Sequence, residues 1–158
     1  PPCPPLQVTL TVKDKNYFNI DDAVKVCPSY AKNLANELKK SKKIYFCDNG
    51  IRNAVLGNFS PIANRSDAGA LWENFVFTER LKLHSYRNDY AQIYFWRTQN
   101  PRPRELDFIE IVDGKMTAIE CKLSKNEVAK PGDSFVKAYP DCEIRTVSPL
   151  DVQQLWQI

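Results

Sequence analysis

Asp107, Glu120 and Lys122 lie in one stretch, ELDFIEIVDGKMTAIECK (residues 105–122), which reads as two short strands folded about a turn. Asp113-Gly114 is a two-residue hairpin signal between runs of β-forming residues. If those two residues are the loop, Val112 faces Lys115, Asp107 faces Glu120 and Glu105 faces Lys122. A four-residue loop keeps the same pairing, and a three-residue loop shifts it by one. Alternation places Glu120 and Lys122 on one face of the second strand and Cys121 on the other. Facing carboxylates have Cβ atoms about 5 Å apart, and two unit charges at that spacing repel by roughly 3 kcal/mol at an effective dielectric near 20. A divalent cation between them reverses the sign. Mg²⁺, or Mn²⁺ in its place, takes hard oxygen ligands and commonly uses one or two carboxylates with water and phosphate. Lys122 beside such an ion is suited to orienting a water or offsetting charge that develops on a phosphate. The plainer alternative is a surface hairpin with a Lys122–Glu105 cross-strand pair.

A third acid lies upstream. Glu73 falls in AGALWENFVFTERLKL (68–83), on a stripe with Val76 and Phe77, so a carboxylate borders an apolar helix face where an ionised group needs a partner. Glu73 either joins the acidic group or pairs along its helix with Arg80 or Lys82. The segment RTQNPRPRE supplies Arg97, Arg102 and Arg104 just before the acidic strand, where guanidinium groups can grip phosphates. Tyr94 and Trp96 are either base-stacking platforms or core residues.

The elements that must position these side chains follow in order. VTLTV (8–12) alternates like a peripheral strand. PSYAKNLANELKKSKK reads as an amphipathic helix with Ser29 as N-cap, and KIYFCD as a strand whose Asp48 caps a following helix ended by Gly57 and Pro61. Ser66 or Asp67 opens the strongest helix. Strands at 91–98, 105–112 and 115–123 follow, then a short helix in GDSFVKAY, a strand in EIRTVS, and a closing helix capped by Ser148. This order predicts an α/β (α+β) domain, with helices packed on a central sheet. The domain is expected over residues 30–158, with 1–29, which begins PPCPPL, as an extension or linker remnant.

Composition narrows the class. The chain has 158 residues, 43% hydrophobic, with a net charge of +3, suited to one globular domain. From Ala31 to Arg65, seven basic residues (Lys32, Lys39, Lys40, Lys42, Lys43, Arg52, Arg65) stand against two acids, Glu37 and Asp48, which suits either a phosphate-facing surface or a solvated helix. Five widely spaced cysteines and one histidine offer no CxxC pair and no Cys/His zinc set, and fit a reducing, cytoplasmic setting. No apolar run long enough for a membrane span is present. A small sheet with open edges also allows two copies to pair.

Glu73, Asp107 and Glu120-Cys121-Lys122 on a helix and successive strands resemble the PD-(D/E)XK nuclease superfamily, whose common core is a helix, a three-strand meander, a helix and a strand. More of the chain, from about Tyr30 onward, resembles the C-terminal domain of unknown function in a family of bacterial AAA-type P-loop ATPases. The motifs that carry this are KKIYFCDNGIRNAVLGNF, R-x-D-x-G-x-LWENFV, YFWRT, ELDFIE and AIECK. The resemblance implies a restriction-endonuclease-like core with Glu73, Asp107, Glu120 and Lys122 as catalytic residues. Asp107, Glu120 and the carbonyl of Cys121 would hold Mg²⁺ or Mn²⁺, the substrate would be DNA, and an AAA-type ATPase would be the partner. No G-x-x-x-x-G-K-[ST] occurs, so these residues hold no phosphate-cradling loop of their own. A non-catalytic nucleic-acid or protein-binding module serving a linked ATPase, or an inherited fold whose charges only stabilise the sheet, is compatible with the same residues.

Overall fold

A computed structural model describes residues 23–30, 42–98, 104–124 and 131–156. The expected strand at 8–12, most of the helix after Ser29, and Arg102 lie outside these residues. The centre is a mixed four-stranded sheet, in the order β3 (Gln92–Arg97), β4 (Glu105–Val112), β5 (Lys115–Cys121) and β6 (Glu143–Val147). The first three strands form an antiparallel meander, and β6 runs parallel to β5. A parallel neighbour requires a crossover, and the chain between β5 and β6 carries the short helix α3 (Asp133–Ala138).

Among the described residues, two α-helices precede the meander. Helix α1 (Asn49–Leu56) starts where Asp48 accepts the N–H groups of Gly50 and Ile51, and stops at Gly57, whose φ of 61° suits a residue without Cβ. Helix α2 (Ala68–Arg87) is the longest. Asp67 precedes it without making a side-chain cap, because Arg52 and Arg65 take its carboxylate.

The sheet separates two cores. Val76 and Phe77 of α2 pack with Phe95, Phe108, Ile119, Val147 and Leu155 on one face. Leu106, Ile109 and Ala118 pack with Phe135 of α3 on the other. This is the helix, meander, helix, strand arrangement on a mixed sheet expected from the sequence. The closing segment differs: Pro149–Trp156 is 3-10 helix, interrupted at Asp151.

A further strand carries no signal in the sequence. β1 (Val24–Pro28) pairs antiparallel with β2 (Lys42–Phe46), and a bridge between Ser29 and Phe95 ties this ribbon to β3. Residues 23–29, read from the sequence as part of an extension, thus reach the core through Ala23, Cys27 and Ser29. Val26 is 54% exposed and Cys27 is buried, so VKVC shows no inward period of two.

The turn between β4 and β5 has positive φ at both Asp113 (49°) and Gly114 (79°), as a two-residue hairpin demands. Val112 faces Lys115 and the ladder runs to Phe108 facing Ile119, the register expected. There the ladder ends. On the other side of β4, Tyr94 faces Ile109 and Trp96 faces Leu106, so Asp107 and Phe108 together stand against Phe95 alone. This is a β-bulge, which bends a strand and re-aims a side chain. Leu106 and Ile109, three residues apart, consequently share the α3 face.

Candidate functional site

The bulge and the end of the ladder decide where the acids go. Past Phe108–Ile119 the two strands no longer exchange backbone hydrogen bonds, and Asp107 Oδ2 accepts the N–H of Cys121 at 2.8 Å. Asp107 is turned toward Lys43 and Glu73 on the α2 face. The ladder therefore stops one position short of Asp107 and Glu120, where the extra residue in β4 breaks the alternation. The two remain within electrostatic reach. Burial first, then the charge of Glu73, with a smaller push from Glu120, raise the Asp107 carboxyl to about 7 against the opposing effects of Cys121 N–H and Lys43.

Glu73 reaches this place because α2 is fastened to β2. Asn74 accepts the N–H of Phe46 at 2.8 Å, donates to its carbonyl at 2.9 Å and donates to Asn49 Oδ1 at 3.0 Å. Tyr45 stacks on Phe77 with ring centroids 4.0 Å apart. That lock sets Tyr45 Oη to donate to Glu73 at 2.6 Å, and Lys43 Nζ to donate to the same oxygen at 2.8 Å.

Lys43 is the residue on which the acids converge. Its ammonium pairs with Glu73 and with Glu105, and stands 3.7 Å from Asp107 Oδ1. Burial pulls its pKa down, but Glu73 and Glu105 outweigh that and hold it above the ordinary lysine value. Glu105 is also gripped by Arg97, Nε to Oε2 at 2.6 Å. Burial pushes the Glu105 carboxyl up, while Lys43 and Arg97 together hold it below its usual range. Lys122 donates to Glu120 Oε1 at 2.8 Å, and Glu120 Oε2 is buried with no hydrogen-bond partner.

The structure chooses among the alternatives that the sequence left open. Glu105 pairs with Lys43 and Arg97, not with Lys122, since the ladder ends before those positions meet. Glu73 pairs across to β2 rather than along its helix: Arg80 is taken by Glu110 and Lys82 by Glu79. Arg97 is turned onto Glu105, and the Arg104 side chain lies over Gly132, where an added Cβ would come within 2.8 Å of its Cδ. Trp96 packs against Phe135 and Tyr94 against Tyr30 on the α3 face, as core residues.

Lys43, Tyr45 and Glu105 were missed as site residues. In KKIYF the apolar Ile44 looks like the inward residue, yet it is 64% exposed and Lys43 and Tyr45 turn in. Only the ion pairs across α2 and β4 reveal this.

The residues fit a hard divalent cation in donor chemistry. Glu120 offers a buried carboxylate oxygen with no partner, and Asp107 is a desolvated carboxylate pushed up by neighbouring negative charge. Among the described residues no group of three or more His, Cys, Asp or Glu is arranged to hold a metal. Mg²⁺ needs fewer, since it keeps waters and takes phosphate oxygens. Among the described residues no helix is long and apolar enough to cross a membrane.

The sequence profile of the family described as Domain of unknown function (DUF4143) matches residues 68–153, more than half of the chain. The matched stretch contains Glu73, Asp107, Glu120 and Lys122; Lys43 lies before it. No curated protein and no solved structure matches the chain.

Proposed function

Because the chain belongs to the family of domains of unknown function DUF4143, we propose that it is the nuclease-like domain of, or partner to, an AAA-type ATPase, hydrolysing DNA phosphodiester bonds with Mg²⁺ or Mn²⁺. The observation that carries this reading is the charge imbalance where β4 and β5 part. Asp107 is desolvated beside Glu73, and Glu120 Oε2 has no partner. A buried carboxylate oxygen left this way costs free energy unless a cation or donor arrives, and a fold that retains it has a reason in function.

Asp107 and Glu120, with the backbone carbonyl of Cys121, would hold the ion. When bound, it supplies Lewis-acid polarisation of a phosphate and a water of lowered pKa. The chain's own residues do the rest. Glu120 fixes the Lys122 ammonium, which orients the attacking water and offsets charge growing on the phosphate. Tyr45 fixes Glu73 at the edge of the group. Arg97 and Arg104 flank the entrance of β4 and, with Arg102 of the segment between them, would meet the DNA backbone.

The test is hydrolysis of end-labelled DNA with Mg²⁺ or Mn²⁺. Cleavage is expected and should fall by about 100-fold or more in Lys122→Ala, the loss typical of removing one charge-stabilising group. Mn²⁺ should also raise the melting temperature, and Asp107→Asn should abolish that rise. DNA binding without cleavage under several divalent metals would sink the hydrolytic reading. It would leave a binding module serving a linked ATPase, which the Lys43 ammonium seated among the acids favours.

A further inference from the structure

The acidic group already holds a cation of its own. Lys43 Nζ contacts Glu73 and Glu105, stands 3.7 Å from Asp107, and lies 5.4 Å from the centroid of the Phe95 ring. We infer that Lys43 is a displaceable gate: its ammonium occupies the cation position of the resting site and must swing out before a divalent ion is held by Asp107 and Glu120. The inference rests on the metal-dependent reading above and adds to it how the site is loaded.

Three features of the geometry carry it. First, a divalent ion on Asp107 would be a near neighbour of the ammonium, and like charges at that range in a half-buried site repel strongly. Full occupancy by both is disfavoured. Second, each carboxylate that Lys43 holds has another donor. Glu73 keeps Tyr45 Oη at 2.6 Å, and Glu105 keeps Arg97 Nε at 2.6 Å. Departure of the ammonium therefore orphans neither, which removes the usual penalty for breaking a half-buried ion pair. Asp107, by contrast, keeps the Cys121 N–H on Oδ2 and turns Oδ1 toward the cation at the longer distance. Third, a lysine carries its charge on a four-carbon stem with free rotation and no fixed fork, so it can leave without moving β2. An arginine in a bidentate grip could not.

Asn74 holds β2 against α2 through the backbone of Phe46. The lysine backbone thus stays in place in both states, and the switch is confined to one side chain.

The experiment measures Mn²⁺ binding to the full chain and to Lys43→Met, following free Mn²⁺ by electron paramagnetic resonance. Lys43→Met should bind about tenfold more tightly, within the 5–150-fold range usual for two coupled occupants. In parallel, amine acylation of the unmutated chain is mapped by mass spectrometry. Lys43 should be protected without metal and become labelled when Mn²⁺ is saturating. Equal or weaker binding by Lys43→Met, or labelling of Lys43 that Mn²⁺ does not change, overturns the gate while leaving the metal reading intact. Absence of Mn²⁺ binding in both proteins overturns the metal reading, and the gate with it. If Lys43→Met does not fold, the labelling of the unmutated chain decides.

Discussion

Strand β4 carries two acids three residues apart, the half-buried Asp107 and the buried Glu110, and the structure treats them in opposite ways. Glu110 is 3% exposed and fully answered. Arg80 grips it through both Nε (2.8 Å) and Nη2 (2.5 Å) and also donates to the carbonyl of Leu155, while His84 Nε2 stands 3.3 Å from Glu110 and its Nδ1 stands 2.6 Å from Asp89. Burial pushes the Glu110 carboxyl up, but His84 and Arg80 outweigh it and hold it below its ordinary value. Asp107 goes the other way, to about 7. One cluster closes its charge account within the fold; the other leaves charge over. Burial pushes both carboxyls up, so the opposite outcomes come from the partners. A carboxylate matched by a bidentate arginine ties α2 and the C-terminal 3-10 segment to the sheet. A carboxylate left half-matched beside a buried unpartnered oxygen is poised for something that comes from outside.

Matched acid-to-amide changes test that contrast. Glu110→Gln should have the largest effect on stability, a loss of about 3–5 kcal/mol in chemical denaturation, because it leaves buried Arg80 without its charge partner. The same change at Asp107 should shift unfolding by less than about 1 kcal/mol in metal-free buffer, since it removes a charge that the fold does not fully satisfy. If Asp107→Asn costs as much as Glu110→Gln, the two clusters are both structural and the comparison collapses.

His84 gives a smaller, pH-dependent probe. Hydrogen bonding to Glu110, with Asp89 adding, raises its pKa above 6.5 despite burial and the opposing charge of Arg80. A histidine raised in the folded state contributes stability that is fully present below its unfolded pKa and is lost as pH rises through the folded one. Arg87, Asp113 and Lys115 line the same cavity and set the background charge. His84→Gln should therefore cost about 1–2 kcal/mol at pH 6, and the gap from the unmutated chain should narrow as pH is raised. A gap that is constant across that range would show that His84 packs as a neutral ring.

The legible part of this protein is what local chemistry controls. Asp113-Gly114 specified a tight turn and hence the register of β4 on β5, because few residues tolerate positive φ in succession. Asp48 and Gly57 bounded α1 through a side-chain cap and a left-handed stop. The stripe of Val76 and Phe77 specified the face that α2 buries, and with it that Glu73 would lie at a core boundary. Glu110 was legible in principle, as an acid inside LDFIEIV, but Arg80 as its partner was not, since the two meet only when α2 crosses the sheet.

Tertiary structure decided the rest. The bulge at Asp107–Phe108 arises from how β3 pairs with β4, and no residue in either strand announces it. It re-aims Asp107 toward Lys43 and Glu73, where the hairpin register alone would have continued the ladder to Glu120. β1 is a strand because β2 is beside it, not because VKVC has a period. Lys43 enters the acids because Asn74 locks β2 to α2, which turns Ile44 out. Sequence determined which charges are present and roughly which elements bear them; packing of helix on sheet decided which charges meet, because ion pairs between distant segments depend on relative placement that no local propensity encodes.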